Sequence, residues 1–266
     1  CRSRDQLSGY VGRIMPNKVK KVLFSGCSTT ANSGFDENID KHWVRLVANH
    51  YNFNYDNIAI GGMSNDEIFY RTVEAVTTDK PDLVITQWTN IGRYWVYFDE
   101  PNIDDFSMVN PNIAGFNSDS INLKNYAKLY NTFFVNYYVL LKRWLLQCIS
   151  LQTLFEKEDI NYCFIRAYDN LLSDWHNIDK DNLFCSLSKD LKRILDFHNR
   201  PDYYIQQKIS EIDILLNKLD NSKWLNLNTP SFSEMSEPND FADDGRHIGE
   251  IGNMKLSKLL IASNII

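Results

Sequence analysis

A chain of 266 residues with 44% hydrophobic and 13% aromatic side chains can bury a substantial core, and one domain is the simpler expectation for that length. A formal net charge of -6 leaves no electrostatic footprint for a phosphate backbone, so no nucleic acid partner is expected. The five cysteines (Cys1, Cys27, Cys148, Cys163, Cys185) are odd in number, widely spaced and without a C-x-x-C pair, which predicts a reduced protein with no metal and no cofactor.

Residues 1–18 read as an N-terminal extension, polar and basic, without the apolar core of a secretory signal. A cytoplasmic location is favoured on that reading. The alternative is an exported protein whose signal has been removed, with Cys1 as the acylated first residue of a lipoprotein. Met15 is a plausible natural start. Residues 19–266 are expected to form a single domain with elaborations near 99–120 and 167–222.

The apolar run Lys21–Phe24 leads into Ser25-Gly26-Cys27-Ser28-Thr29-Thr30, and Trp43, Val44, Leu46 and Val47 then recur at helical spacing. This predicts strand, tight turn, helix. A second strand over Asn57–Ile60 ends at Gly61-Gly62, and Ser64-Asn65-Asp66-Glu67 opens a helix through Ile68, Phe69, Val73 and Val76. Leu83–Thr86, after Pro81-Asp82, is a third strand whose unbroken apolar character suits a parallel sheet covered on both faces. Residues 99–120, rich in Asp, Asn, Pro and Ser, predict a surface excursion.

A long helix is expected over 122–157, with Phe134, Tyr138, Leu141, Leu145 and Cys148 facing the core. Its most apolar stretch is interrupted by Asn136, Lys142, Arg143 and Gln147, so no transmembrane segment is predicted. Tyr162–Ile165 is a fourth strand, Tyr204–Leu219 a helix, Trp224–Leu227 a fifth strand and Asn253–Ile265 a final helix. Strands alternating with helices predict an α/β fold: a three-layer αβα arrangement on a parallel sheet of about five strands.

In such a sheet, residues just after the first three strands meet beyond the strands' carboxyl ends. Ser28 follows strand one, where the start of a helix directs backbone N–H groups toward a developing anion. A serine hydroxyl needs a base, which His247 can supply, and Asp244 is spaced to orient that imidazole, with Gly245 easing the bend and Asp243 as the neighbouring alternative. The Ser28 N–H, the Gly62 N–H and the Asn90 amide are candidate oxyanion donors. Ordinary roles stand beside these: Ser28 as a loop serine, Asn90 as a helix cap, Cys27 as a rival nucleophile. His42, His50, His176 and His198 lack ligand spacing and read as surface or packing residues. Asp99-Glu100 and Asp104-Asp105 read as a solvated loop, and Tyr94, Trp95, Tyr97 and Phe98 as core or as an aromatic platform.

At these positions the chain resembles the SGNH/GDSL hydrolase family. Its four blocks find counterparts in Phe24-Ser25-Gly26-Cys27-Ser28-Thr29, Asn57-Ile58-Ala59-Ile60-Gly61-Gly62, Gln87-Trp88-Thr89-Asn90 and Asp244-Gly245-Arg246-His247 followed by Gly252. The resemblance spans residues 20 to 265, with little carried by 100 to 240. It implies a flavodoxin-like sheet, Ser28, Asp244 and His247 as the triad, and hydrolysis of carboxylic esters, commonly of acyl groups on sugars, lipids or small alcohols. The chain departs from the pattern at Cys27, where the family usually has Asp, at Trp88-Thr89, where a Gly-rich pair is usual, and at Ile91, where Asp commonly follows the Asn. The expected partner is a small-molecule or carbohydrate ester, O-acetyl carbohydrate first. An O-acyltransferase using the same triad and a binding module that has lost turnover are the alternatives. Nothing in the sequence fixes an oligomeric state.

Overall fold

The apolar runs that read as buried strands pair side by side in the computed structural model, which describes residues 21–31, 40–97, 106–109, 125, 137–168, 202–226, 231–242 and 247–263. In chain order the elements are β1 (Lys21–Ser25), α1 (Trp43–Tyr51), β2 (Asn54–Asn57), α2 (Asn65–Thr78), β3 (Leu83–Trp88), β4 (Tyr94–Tyr97), β5 (Phe106–Val109), α3 (Tyr137–Lys157), β6 (Asn161–Arg166), α4 (Asp202–Leu216), a one-turn helix Phe232–Met235, and α5 (Glu250–Ala262). Four strands form a parallel sheet in the order β2-β1-β3-β6. Val22 lies opposite Leu83 and Phe24 opposite Ile85, while Trp88 lies opposite Arg166 at the carboxyl end of the β3–β6 pair.

Because successive side chains point to opposite faces of a strand, each face of the sheet builds its own core. Val22, Phe24, Leu83, Ile85, Cys163 and Ile165 pack with Trp43, Val44 and Val47 of α1 and with Leu256 and Leu260 of α5. Leu23, Val84, Trp88, Tyr162 and Phe164 pack with Ile68 and Val76 of α2, with Leu141, Trp144 and Leu145 of α3, and with Ile212 of α4. The chain moves from β1 outward to β2 and back across to β3, so right-handed crossovers put α1 and α2 on opposite faces. The result is the αβα sandwich expected. α2 starts where Ser64 accepts a hydrogen bond from the Glu67 N–H at 3.3 Å, with Asp66 and Glu67 in the first turn complementing the helix dipole.

Three elements differ from expectation. β2 covers Asn54–Asn57, shifted three residues toward the amino terminus from the expected Asn57–Ile60, because this edge strand exposes most of its side chains and needs no apolar run. Part of the 99–120 excursion is regular: β5 pairs antiparallel with β4, Tyr94 opposite Val109 and Tyr97 opposite Phe106. The fifth strand is reduced to one parallel bridge, Phe164 to Trp224, with the Leu225 N–H donating to the Phe164 carbonyl at 2.9 Å. Cys27, Cys148 and Cys163 are buried free thiols, and burial pushes the Cys163 thiol up to about 12. Among the described residues no helix is long and apolar enough to cross a membrane.

Candidate active site

The chain runs from β1 outward to β2 and back across to β3, the crossover at which a site in a parallel sheet is expected beyond the carboxyl ends of β1 and β3. The turn after β1 is shaped by Gly26, where an added Cβ would lie 2.3 Å from Thr30 Oγ1 and 2.9 Å from Thr30 Cβ. With that space free, the Cys27 carbonyl accepts from the N–H groups of both Thr30 and Ala31 at 2.9 Å, which makes residues 28–31 a single helical turn. Ser28 opens it and is 5% exposed. A first-turn N–H has no acceptor within its own helix, and the Ser28 N–H bonds to no described residue.

Side chains from three other elements hold this turn. The Thr29 carbonyl accepts from Trp43 Nε1 at 3.0 Å and lies 3.0 Å from His42 Nε2. Asn57 Nδ2 donates to the Thr30 carbonyl at 2.7 Å, and Thr30 Oγ1 donates to Gln87 Oε1 at 2.5 Å. Burial lowers the His42 imidazole to about 4, against the opposing effect of its bond to Thr29. The ring is therefore neutral at ordinary pH, and facing a carbonyl it carries its proton on Nε2. Cys27 is fully buried and belongs to the core cluster on the α2–α3 face of the sheet, which argues against the rival nucleophile.

The other two strand ends lie alongside, since β2 and β3 both pair with β1. Gly62 follows β2 with a φ of 88°, a left-handed conformation that strains any residue with a Cβ. After β3 the chain turns at Asn90 into β4, so Asn90 does not cap a helix. Its Oδ1 accepts from the Gly92 N–H at 2.7 Å and its carbonyl from the Arg93 N–H at 3.1 Å. With the oxygen so engaged, Nδ2 is the amide's remaining donor. The preceding residue is fixed at two points by buried Asn65, whose Nδ2 donates to the Thr89 carbonyl at 3.0 Å while its Oδ1 accepts from the Thr89 N–H at 2.8 Å. Tyr168, beyond β6, closes the group. Burial pushes its phenol up, against the opposing influence of the neighbouring Arg93 and Thr29 side chains, and the Arg93 guanidinium lies 5.5 Å from its ring centre.

His247 is half-buried at the start of the segment leading to α5, and its carbonyl accepts from the Ala242 N–H at 2.7 Å. Ile248 bridges antiparallel to Phe241, and the Gly249 N–H donates to the Asp240 carbonyl at 2.7 Å. Asn253, fully buried on α5, donates from Nδ2 to the carbonyls of Ile248 at 3.1 Å and Gly249 at 2.9 Å, and accepts at Oδ1 from the Trp43 N–H at 3.0 Å. Asp243 and Asp244 lie outside the described residues, as do Phe98, Asp99, Glu100, Asp104, Asp105, His176 and His198. Asp240, a buried carboxylate in the same loop, accepts from Lys255 Nζ at 2.8 Å. Burial works to raise its pKa, but that bond and the Glu237 N–H outweigh it and hold the group below its usual range. Among the described residues no three His, Cys, Asp or Glu side chains gather as metal ligands would.

Ser28, Gly62 and Asn90 thus follow three adjacent strands, three, five and two residues past the ends of β1, β2 and β3, and bonds through Trp43 and Asn253 tie the His247 segment to the Ser28 turn. The sequence gives none of His42, Asn65, Gln87 and Asn253 a part in holding the site: His42 reads as a surface or packing residue, Asn65 as part of a helix start, Gln87 as the first residue of the third block and Asn253 as the start of the last helix.

No family model matches the sequence, and no curated protein matches it. Solved structures with a similar course of chain include the psychrotrophic esterase EstA from a Pseudoalteromonas species, 11% identical, covering 92% of this chain and 96% of that one at a TM-score of 0.47. A lipase from a goat rumen metagenome is 12% identical over 92% of this chain and 98% of its own, at a TM-score of 0.48. A GDSL-like lipase from Bacteroides thetaiotaomicron is 14% identical over 92% and 87%, at 0.43.

Proposed function

We propose that the chain is a serine-dependent hydrolase of carboxylic esters. The observation that carries the reading is the Ser28 turn: a serine at the head of a helical turn, its N–H bonded to no described residue, with Asn90 anchored through its oxygen beyond the adjacent strand. In the mechanism we assign, His247 takes the Ser28 hydroxyl proton as Oγ attacks the ester carbonyl carbon, and Asp244 holds the imidazole's tautomer and stabilises its charged form. The tetrahedral oxyanion accepts hydrogen bonds from the Ser28 N–H, the Gly62 N–H and Asn90 Nδ2, each worth about 2.7–4 kcal/mol of barrier. His247 then gives its proton to the departing alcohol, and water, activated by the same imidazole, releases the acid from acyl-Ser28.

Within the acyl esters of sugars, lipids or small alcohols that the sequence resemblance implies, acetyl esters of carbohydrate are the substrate class we assign. The test is hydrolysis of para-nitrophenyl acetate and butyrate by wild type, Ser28→Ala and Cys27→Ala, each checked for folding by circular dichroism. We expect kcat/KM to fall by about 10⁴-fold or more in Ser28→Ala and to persist in Cys27→Ala, with acetate preferred. Activity surviving in folded Ser28→Ala overturns the mechanism. A folded wild type that neither turns over these esters nor reacts with a fluorophosphonate overturns the function.

A further inference from the structure

We propose that Asn253 is a positioning residue that sets the His247 segment in register with the Ser28 turn; this rests on the reading of Ser28 and His247 as nucleophile and base. The two belong to distant parts of the chain, and Trp43 and Asn253 are themselves 210 residues apart in sequence. A general base works only when held within hydrogen-bonding reach of the proton it takes, so something must index one segment against the other.

The bonds run without a gap from one segment to the other. Trp43 Nε1 and His42 Nε2 meet the Thr29 carbonyl, next to the nucleophile, each at 3.0 Å. The Trp43 backbone N–H donates to Asn253 Oδ1 at 3.0 Å, and Asn253 Nδ2 spends its two hydrogens on the carbonyls of Ile248 and Gly249, immediately after the base. All three side chains are buried, Trp43 and Asn253 completely. The polarity of the amide is used in full: oxygen toward the head of α1, nitrogen toward the base segment. His42, at the N-cap of α1, makes no side-chain cap bond, so Asn253 supplies from α5 the acceptor that the helix's own N-cap side chain does not.

That last fact defines the rival explanation, that Asn253 is only a helix cap, and Asn253→Asp separates the two. A carboxylate still accepts from the Trp43 N–H and suits a helix N-terminus, but presents an acceptor where the Ile248 and Gly249 carbonyls need a donor. On para-nitrophenyl acetate we expect folded Asn253→Asp to lose kcat by about 100-fold with KM within about twofold of wild type, and the rate of Ser28 labelling by a fluorophosphonate to fall in parallel. Folded Asn253→Asp with wild-type kcat overturns the proposal. If that variant fails to fold, Trp43→Phe decides: it keeps an aromatic ring at the head of α1 while removing the indole bond to Thr29 together with part of the packed bicycle, and we expect folded Trp43→Phe to lose kcat by about 10-fold with KM held, an unchanged kcat being the overturning result. Activity independent of Ser28 is a different failure, of the underlying reading, and removes the proposal with it.

Discussion

The two ends of the central sheet solve the same problem with different chemistry. At the amino end, Lys21 bridges Asp79 and Asp56, which it meets at 3.0 Å, and its N–H donates to Asp82 Oδ2 at 2.7 Å; the Asp56 and Asp79 side chains are 58% and 69% exposed. At the carboxyl end the fixing groups are mostly neutral and buried: Asn65 on Thr89, Gln87 on Thr30, Asn226 on both polar atoms of the Arg166 backbone, and Asn253 between α1 and the His247 segment. Exposed ion pairs gain little in water and hold their partners loosely, whereas a buried amide facing a peptide group admits one orientation and brings no charge into the core. The end that bears the candidate site is thus the end fixed by neutral side chains.

That contrast is broken most severely at Gly26. Gly26→Ala sets a methyl against Thr30 Oγ1 and Cβ, so the helical turn carrying Ser28 must shift. We expect esterase kcat/KM to fall by about 100-fold or more, with a lowered melting temperature, read by kinetics beside circular dichroism.

His42 sharpens the contrast through pH. Above pH 6.5 its imidazole is neutral in both folded and unfolded chains. Between 6.5 and about 4 the unfolded chain binds a proton that the folded one refuses, so stability drains as pH falls, by about 3 kcal/mol across the window, and this contribution levels off below 4. Urea midpoints from pH 7 to 4 should therefore decline more steeply for wild type than for His42→Gln, which keeps a donor for the Thr29 carbonyl and does not titrate. Equal slopes would show that His42 is not held neutral. The smallest effect belongs to the amino end: Lys21→Met should leave activity unchanged and move the melting temperature by only about 1 °C, because exposed pairs contribute little. A larger drop would erase the distinction between the two ends.

Elements whose cause is local were legible in the sequence. β1, β3 and β6 announce themselves as apolar runs because both faces are covered, and α2 through its Ser64 cap. β2 leaves no such signal because an exposed edge strand carries no apolar run; the register of Phe24 opposite Asn57 comes from its neighbour. The β4–β5 ribbon pairs residues separated by a segment without a hairpin signal, and its aromatic first strand reads equally well as a loop lining a site. The strand-end positions of Ser28, Gly62 and Asn90 could be anticipated, since topology alone brings those ends together. The amides behind them could not: Asn65 reaches 24 residues along the chain, Asn226 60 and Asn253 210, and a side-chain bond over such distances leaves no periodicity to read.

The margins of the sheet carry a consequence for how the molecule meets other copies of itself in a crowded solution. An open strand is a template on which another chain can extend a ladder, the first step of aggregation. On one margin β2 offers only four residues, and an added strand would have to accommodate the exposed Asn54, Asp56 and Asn57. On the other, the Trp224 bridge, the Leu225 N–H and the Asn226 amide occupy backbone groups of β6 at Phe164 and Arg166 that a foreign strand would need. One margin is blunted by brevity and polar side chains, and the other is already filled by the chain's own stub.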